Sequence, residues 1–255
     1  MLGHVVLRFF QQQGFVTSTI NARYDEHESH AFWAELESSE PDVVVNCIGL
    51  IKQKSSSLRD LLSLNAAFPL LLRLRLSPQA LLVQPSTDCV FSGKEGSYQT
   101  GEPPNATDNY GISKALGEFV VHYPNTLVIR SSIIGPEISG SWGLLAWFLS
   151  HANGSQLEGY THHRWNGITT LEWCKLLASA LITREQKPIS LIQAGTERVY
   201  TKAQVLRLFA STFNRDIRVV DAAPGPTVDR SLKPNWPCKP LELQLVELHN
   251  WMVEV

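Results

Sequence analysis

The stretch PDVVVNCIG, residues 41–49, has three consecutive valines followed by a polar turn that ends in glycine. A short apolar run rich in β-branched residues is typical of a strand buried on both faces of a parallel sheet. The segments ALLVQPS (80–86) and TLVIRSS (126–132) have the same character. We therefore predict buried strands at these three positions.

Helical patterns separate the predicted strands. A leucine-rich helix is expected at 58–76, and another helix at 110–121. A helix over residues 3–13 comes first, and the β-prone run FVTSTI (15–20) is expected to form a further strand. Strands alternating with helices of this length indicate βαβ units, and hence an α/β fold with a doubly wound parallel sheet.

The regular pattern loosens after Pro136. Further helices are expected there, together with the strand SLIQAG (190–195) and a proline-rich stretch at 224–240. This change predicts two lobes, over residues 1–135 and 136–255, with the smaller second lobe partly interleaved with the first.

Composition limits the class of protein. The chain has 255 residues, of which 44% are hydrophobic and 18% charged, which is enough for a sizeable core. Its net charge of -2 and lack of a basic block argue against a nucleic-acid surface. No signal peptide or apolar run of ~18 residues indicates a membrane segment. The four cysteines form no CxxC pair, so reduced thiols in a cytoplasmic protein are expected.

Small and polar residues follow each predicted strand. They occur in NCIG (46–49), PSTDCVFSG (85–93) and RSSIIGPE (130–137). Any one of these clusters is also typical of a tight turn between a strand and a helix. Because ligands bind at the carboxyl ends of the strands in an open α/β sheet, the three clusters together predict a common cleft.

The motif YGISK separates Tyr110 from Lys114 by four positions, which places both side chains on one face of a helix. A nearby ammonium group is expected to lower the pKa of the Tyr110 phenol and to make it a usable proton donor. The alternative is an exposed helix start with a solvated lysine. The hydroxyls of Ser86 and Thr87 precede this motif, and the long loop from Ser92 to Asn109 can fold over a ligand.

With these motifs, the chain resembles the extended short-chain dehydrogenase/reductase superfamily, and within it the dTDP-4-dehydrorhamnose reductase group of sugar-nucleotide reductases. The resemblance extends over nearly the whole chain. Its most specific part is the combination of STDCVFSG (86–93) with YGISKALGE (110–118), and it continues in LVIRSSIIG (127–135) and VDRSL (228–232).

The resemblance implies a Rossmann-type NAD(P)-binding domain over residues 1–135 and a mainly substrate-binding lobe over 136–255. It implies reduction of a 4-keto-6-deoxy sugar nucleotide by NADPH or NADH, as in deoxysugar and cell-surface polysaccharide biosynthesis. A sugar nucleotide is then the expected partner, with no nucleic acid or membrane, and a homodimer is left open.

The resemblance also implies the catalytic residues. Tyr110 is the expected proton donor to the C4 carbonyl, and Lys114 is expected to hold the nicotinamide ribose and to tune Tyr110. Thr87 is expected to bind the carbonyl oxygen, and Asp88 resembles the acid beside the reacting sugar. Cys89 occupies a position where dTDP-rhamnose enzymes usually have tyrosine, a difference that concerns the sugar contacts and not hydride transfer.

The binding residues implied by the resemblance are spread along the chain. Arg23 is the candidate for contact with the 2'-phosphate of NADP. The cofactor set comprises Gly3, Arg23, Cys47, Ile48, Gly49, Asn65, Tyr110, Lys114 and Ser132. The substrate set comprises Trp142, Trp165 and Arg230.

For the substrate set, other interpretations remain open. Trp142 and Trp165 are candidates for stacking on a base, but tryptophans at helical spacing are also typical of a core. Arg230 is a candidate for gripping a pyrophosphate, or else for a surface ion pair with Asp229 or Asp221. The pair His162-His163 has no partner at helical spacing, so no metal site is predicted.

The segment MLGHVVLRFF (1–10) matches the end of a phosphate-binding loop, with Gly3 as the third glycine of the fingerprint. The family's usual first strand and first two glycines are not in the sequence. We therefore expect a truncated start, with the first strand missing and weak NADPH binding.

Two alternative functions remain open at this point. One is a non-catalytic dinucleotide-binding regulatory subunit of the methionine adenosyltransferase type, which the absent first strand favours. The other is a sugar-nucleotide epimerase or dehydratase, which would need an acid/base pair beyond Asp88. The intact set of Thr87, Tyr110 and Lys114 favours the reductase.

Overall fold

A parallel sheet forms the centre of the computed structural model, which describes residues 1–55, 57–184 and 189–253. The strands are β1 Val43–Val45, β2 Leu81–Ser86, β3 Thr126–Arg130, β4 Ile133–Ile134, β5 Gln156–Tyr160, β6 His163–Trp165, β7 Ile168–Thr169, β8 Leu191–Thr196, β9 Tyr200–Thr201, β10 Arg218–Ala222, β11 Val228–Asp229 and β12 Trp236–Cys238. The helices are α1 Leu2–Gln12, α2 His30–Ser38, α3 Leu58–Leu62, α4 Phe68–Arg75, α5 Asn109–Gly117, α6 Leu144–Leu149, α7 Thr170–Arg184, α8 Lys202–Thr212 and α9 Leu241–Val253.

The central sheet has the order β1-β2-β3-β8-β12, and each neighbouring pair is parallel. Val44 lies opposite Leu82, and Ile129 lies opposite Ile192. The three strands predicted at 41–49, 80–86 and 126–132 are all present as β1, β2 and β3. The predicted α/β class with a parallel sheet is confirmed.

Helices cover both faces of the sheet because successive strand side chains point to opposite sides. On one face, Val83 belongs to a large core that includes residues of α1, α7 and α9. On the other face, Leu82 packs in a smaller core with Phe32 of α2 and Phe68 of α4. None of the helices in the described residues is long and apolar enough to cross a membrane.

The run FVTSTI at 15–20 does not form a strand, so this prediction is wrong. Val16 is fully exposed, and no strand in the described chain lies beside the segment to accept its backbone hydrogen bonds. Strand β1 is correspondingly an edge of the sheet, with β2 as its only neighbour among the described residues. A β-prone sequence without a neighbouring strand stays extended and unpaired.

Beyond Pro136, some elements return to the central sheet and others form small sheets of their own. Strands β8 and β12 belong to the central sheet. Strand β5 pairs with β10, and β6 lies between β9 and β11. Helix α8 begins after Thr201, whose side chain completes a capping box with Gln204.

Helix α1 is attached to α9 through one arginine. The guanidinium of Arg8 lies 3.8 Å from the ring centroid of Trp251 and donates to the Trp251 carbonyl at 2.8 Å. The Trp251 indole in turn donates to the Gln12 side chain at 2.8 Å. These contacts hold the carboxyl-terminal half of α1 against α9. At the amino end of α1, Gly3 packs against Cys47 in the turn after β1.

A buried arginine, Arg73, lies at the edge of the sheet where β2 and β3 begin. Arg73 of α4 is 6% exposed and donates to four carbonyl oxygens, those of Leu76, Ser77, Ala80 and Asn125, at 2.5 to 3.2 Å. It thereby joins the end of α4 to the segments that lead into β2 and β3.

We expect Arg73→Ala to lower the free energy of unfolding by about 3 kcal/mol, because it leaves several buried carbonyls without a donor. Urea denaturation followed by circular dichroism measures the loss. The control is Arg75→Ala on the same helix, whose side chain is 53% exposed and pairs with Glu37. It should cost less than about 1 kcal/mol, and equal losses for the two variants would contradict this assignment.

Candidate active site

The residues after β1, β2 and β3 meet at the carboxyl edge of the sheet, as predicted for a cleft. Asn46 joins the first two strand ends: its amide N–H donates to the Val83 carbonyl at 2.9 Å, and its side chain donates to Gln84 at 2.8 Å. Both side chains are buried, so this edge of the sheet is held by polar contacts inside the protein.

Thr87 and Asp88 form a short turn at the end of β2. The Thr87 hydroxyl accepts from the Cys89 amide at 3.2 Å and donates to Asp88 Oδ1 at 3.0 Å. Helix α5 packs directly on this turn, because a Cβ placed on Gly111 would lie 2.2 Å from the Cys89 carbonyl oxygen. The absence of a side chain at Gly111 therefore allows the neighbouring Tyr110 to lie beside Thr87.

Burial raises the pKa of Tyr110, and the nearby Cys89 and Asp88 raise it further, while a hydrogen bond with Thr87 opposes them. The expected lowering of this pKa by Lys114 is therefore wrong for this structure. The reason is that burial of the phenol dominates its pKa, while the Lys114 ammonium donates to the Pro85 carbonyl at 2.8 Å. Tyr110 is consequently held in its protonated form at neutral pH.

Lys114 is enclosed between α5 and the end of β2. Burial lowers the pKa of its ammonium from 10.5 to about 8, and the carboxylate of Glu118, one helical turn away, opposes this effect. Lys114 is therefore mostly charged at pH 7, although its charge is stabilised by few groups.

Asn65 lies in a π-helical turn, Ser63–Ala67, between α3 and α4. Its side chain exchanges hydrogen bonds with both backbone groups of Leu50, each at 2.8 Å, and donates to the Ser113 hydroxyl at 3.0 Å. A Cβ on Gly117 would lie 2.0 Å from the Asn65 carbonyl oxygen, so α5 packs tightly here. The structure uses this side chain to join α5 to the turn after β1, and its contact with the cofactor stays a prediction.

Other residues predicted to bind the cofactor lie near the amino end of α1. A Cβ on Gly3 would lie 3.2 Å from that of Cys47, and Cys47, Ile48 and Gly49 are exposed beside it. Arg23 is exposed and lies near Asp25, whose pKa it helps to lower.

The two tryptophans predicted to bind the substrate differ in their exposure. Trp142 is 50% exposed and lies on a loop whose backbone is held by Glu137. Trp165 is 4% exposed and packs in the main core, so it has no face on which a base can stack, and this prediction is wrong. Ser132 follows β3, where its carbonyl accepts the Ile168 amide at 2.9 Å.

Arg230 follows β11 and contacts the turn and helix that contain Thr87 and Tyr110. Its Nε donates to the Phe91 carbonyl at 3.0 Å, and its Nη2 lies 3.7 Å from the Asp108 carboxylate that caps α5. The alternative of an ion pair with Asp229 or Asp221 is wrong, because those carboxylates pair with other arginines.

The rings of His162 and His163 lie 4.3 Å apart. Across residues 1–55, 57–184 and 189–253, no group of three or more His, Cys, Asp or Glu side chains is arranged to hold a metal ion.

Comparison with known proteins identifies the family. The family model described as the RmlD substrate binding domain matches residues 1–137, which is more than half of the 255 residues. The chain belongs to this family. A search of curated proteins gives no match.

Solved structures share the fold of this RmlD-type chain. A dTDP-4-dehydrorhamnose reductase from Bacillus anthracis, in complex with NADP, has a TM-score of 0.81 at 14% identity, covering 98% of this chain and 95% of that chain. A dTDP-4-dehydrorhamnose reductase from Clostridium acetobutylicum has a TM-score of 0.80 at 16% identity, covering 99% and 96%. The Bordetella bronchiseptica enzyme WbmG, in complex with NAD and UDP, has a TM-score of 0.74 at 15% identity, covering 100% and 91%. These likenesses confirm the Rossmann-like fold.

Three polar residues near the site of this RmlD-type chain were not singled out from the sequence. Glu118 and Arg130 form a buried ion pair behind Lys114. The sequence indicates such a pair, because both charged residues lie inside motifs whose other residues predict burial. Lys202 lies near Asp88 and Cys89, and burial lowers the pKa of its ammonium while these two residues oppose the effect. Lys202 is far away in sequence, and no motif marked it.

A stability measurement tests the environment of Lys114. Because the pKa of Lys114 is lower in the folded protein than its ordinary 10.5, the unfolded chain binds this proton more tightly. The charge therefore reduces stability below pH 8, and this cost disappears as the pH rises from about 8 to 10.5. We expect the stability of Lys114→Met relative to wild type to fall by about 2 kcal/mol between pH 7 and pH 10.

Urea denaturation at the two pH values measures this difference. The control is Lys94→Met, which removes an exposed lysine from a loop. Its stability relative to wild type should change little with pH, and a similarly flat result for Lys114→Met would contradict the burial of its charge.

Proposed function

We propose that this chain is an NAD(P)H-dependent reductase of a 4-keto-6-deoxy sugar nucleotide, acting in deoxysugar biosynthesis. The observation that supports it most is the placement of Thr87, Asp88, Tyr110 and Lys114 around one strand end. The chain's RmlD family and its likeness to dTDP-4-dehydrorhamnose reductases agree with this reaction.

The amino end of α1 is where the protein would hold the pyrophosphate of the cofactor. Unpaired amide groups and the helix dipole favour an anion at this end. Gly3 lies in the first turn of α1 and packs without a side chain against Cys47. Lys114 would contact the ribose next to the nicotinamide, which supplies the hydride when bound.

Tyr110 is suited to donate the proton that completes the reduction. Its raised pKa keeps the phenol protonated before the reaction. Thr87 and Tyr110 would both hydrogen-bond the substrate carbonyl, and the phenol proton passes to the oxygen as negative charge develops there. As the proton leaves, the Lys114 charge, on the same face of α5, would oppose the effect of burial and favour the phenolate.

The second lobe would provide the contacts for the sugar nucleotide. Arg230 has a planar guanidinium suited to a pyrophosphate, and it lies next to the Asp108 cap of α5. Exposed Trp142 would offer a face to a base. Cys89 would contact the sugar where related enzymes use tyrosine.

A substrate panel tests the proposed function. The purified chain is mixed with NADPH or NADH and a series of 4-keto sugar nucleotides, and the nicotinamide absorbance is followed. We expect oxidation of the cofactor that depends on one or a few of these sugars. Absence of oxidation with every sugar, under conditions in which the cofactor binds, would contradict a reductase.

Tyr110→Phe should reduce turnover by about 10²-fold or more, because it removes the proton donor and retains the packing of the ring. Steady-state rates on the best substrate measure the loss, and the melting temperature should change little. The matched control is Tyr123→Phe, at the end of the turn that follows α5. Near-normal turnover of the Tyr110 variant would exclude the assigned role.

Arg23→Ala should remove most of any preference for NADPH over NADH, because Arg23 is the proposed partner of the 2'-phosphate. Titration calorimetry with both cofactors measures the preference. Arg218→Ala makes the same charge change at an exposed position on β10 and should leave it intact. Equal affinity of the unmodified chain for the two cofactors would contradict the role of Arg23.

A further inference from the structure

A charged pair lies buried behind the proposed catalytic residues. Arg130, at the end of β3, is 2% exposed, and Glu118, directly after α5, is 7% exposed. The guanidinium binds the carboxylate through two parallel hydrogen bonds, from Nε to Oε1 at 2.9 Å and from Nη2 to Oε2 at 2.6 Å. Such bidentate pairs have a defined geometry as well as a favourable energy.

The pair connects to the end of β2 on one side. The Ser86 hydroxyl donates to Glu118 Oε1 at 2.5 Å. Ser86 lies between Pro85, whose carbonyl accepts the Lys114 ammonium, and Thr87. The carboxylate therefore bonds the residue next to Thr87, and Glu118 is also one helical turn after Lys114.

On the other side, the pair connects to β8 and through it to two loops, at Tyr98 and Lys233. Arg130 Nη1 donates to Gln193 of β8 at 2.9 Å. The Gln193 amide donates to the carbonyls of Tyr98 and Lys233 at 2.7 and 2.9 Å. The network thus runs from the Thr87 strand end through Arg130 to the loop that follows Arg230.

Stability alone does not explain this arrangement. A buried ion pair loses hydration on folding, and apolar residues of similar volume are often equally stabilising. A charged group close to a buried lysine has a distinct effect, since it favours the charged form of that lysine.

We propose that Glu118, held by Arg130 and Ser86, is a positioning residue that keeps Lys114 charged and directed at the end of β2. This role rests on the proposed function, because the charge of Lys114 matters for catalysis only if the chain is a reductase.

The electrostatics of Lys114 agree with this role. Burial lowers its pKa to about 8, and Glu118 is the charged group that opposes the shift. From β2, Lys114 meets the neutral Pro85 carbonyl, and from β3 the Arg130 guanidinium faces Glu118. Without the Glu118 carboxylate, the pKa of Lys114 falls further, and a neutral lysine becomes common at physiological pH.

The first test measures the lysine itself and needs no enzymatic activity. The ε-carbon signal of Lys114 is followed by NMR against pH in the wild type and in Glu118→Gln. The signal is identified as the one that is missing from the spectrum of Lys114→Arg. We expect the Lys114 titration to move down by about 1 pH unit in Glu118→Gln. An unchanged midpoint would overturn the proposal.

A second variant addresses the unpaired arginine that Glu118→Gln leaves in the interior. The double variant Glu118→Gln/Arg130→Met removes both charges and retains most of the volume, so it should fold even if the single variant does not. Its Lys114 midpoint should also lie below that of the wild type. A wild-type midpoint in the double variant would overturn the proposal as well.

The pH dependence of kcat separates positioning from simple structural support. Activity that needs charged Lys114 declines as pH rises through its pKa, so a lower pKa moves this decline to lower pH. We expect the decline in the folded variants to move by the same amount as the NMR midpoint, with KM for the sugar nucleotide within about twofold of wild type. A loss of kcat that is equal at every pH would indicate structural damage only and would overturn the proposal.

The two tests fail independently. If the wild type reduces no sugar nucleotide, the proposed function fails, while the NMR titration still decides whether Glu118 sets the charge of Lys114. If the wild type is active and the titration does not move, only the role of Glu118 is wrong.

Discussion

The contact between α5 and the end of β2 is the packing interaction on which the candidate site depends. Gly111 and Gly117 face the carbonyls of Cys89 and Asn65, and a Cβ at either glycine would lie within 2.2 Å of those oxygens. Helix α5 can therefore approach both the turn after β2 and the π-helical turn. This approach places Tyr110 beside Thr87 and lets the Lys114 ammonium reach the Pro85 carbonyl.

The same close packing determines the electrostatics of the site. Enclosure raises the pKa of Tyr110 and lowers that of Lys114, so both groups are shifted toward their neutral forms. For a reduction, a protonated phenol is the state required at the start. A charged lysine is unfavourable in a buried site because it loses its hydration. The carboxylate of Glu118, which is paired with Arg130, offsets part of this free-energy cost.

Residues after Pro136 contact the site through polar groups across a long sequence separation. Arg230 meets the Phe91 carbonyl and the Asp108 cap of α5, while Arg164 binds Asp229 beside it. Gln193 joins the central sheet to two loops. These polar contacts hold the loops around Arg230 and Lys233 against the amino end of α5 and the central sheet.

The sequence by itself determined the parallel strands β1 to β3 and the common face of Tyr110 and Lys114, because strand runs and helix spacing are local patterns. The grouping of these two residues with Thr87 and Asp88 followed from the family resemblance. The one predicted strand that the described residues lack, at 15–20, failed because a strand also needs a neighbour. The short strands after Pro136 other than β8, including β12 of the central sheet, were not predicted. Only the tertiary structure showed that Trp165 is in the core and that Arg230 contacts Asp108. It also reversed the expected pKa shift of Tyr110. These properties depend on burial and on partners distant in sequence, which no local pattern records.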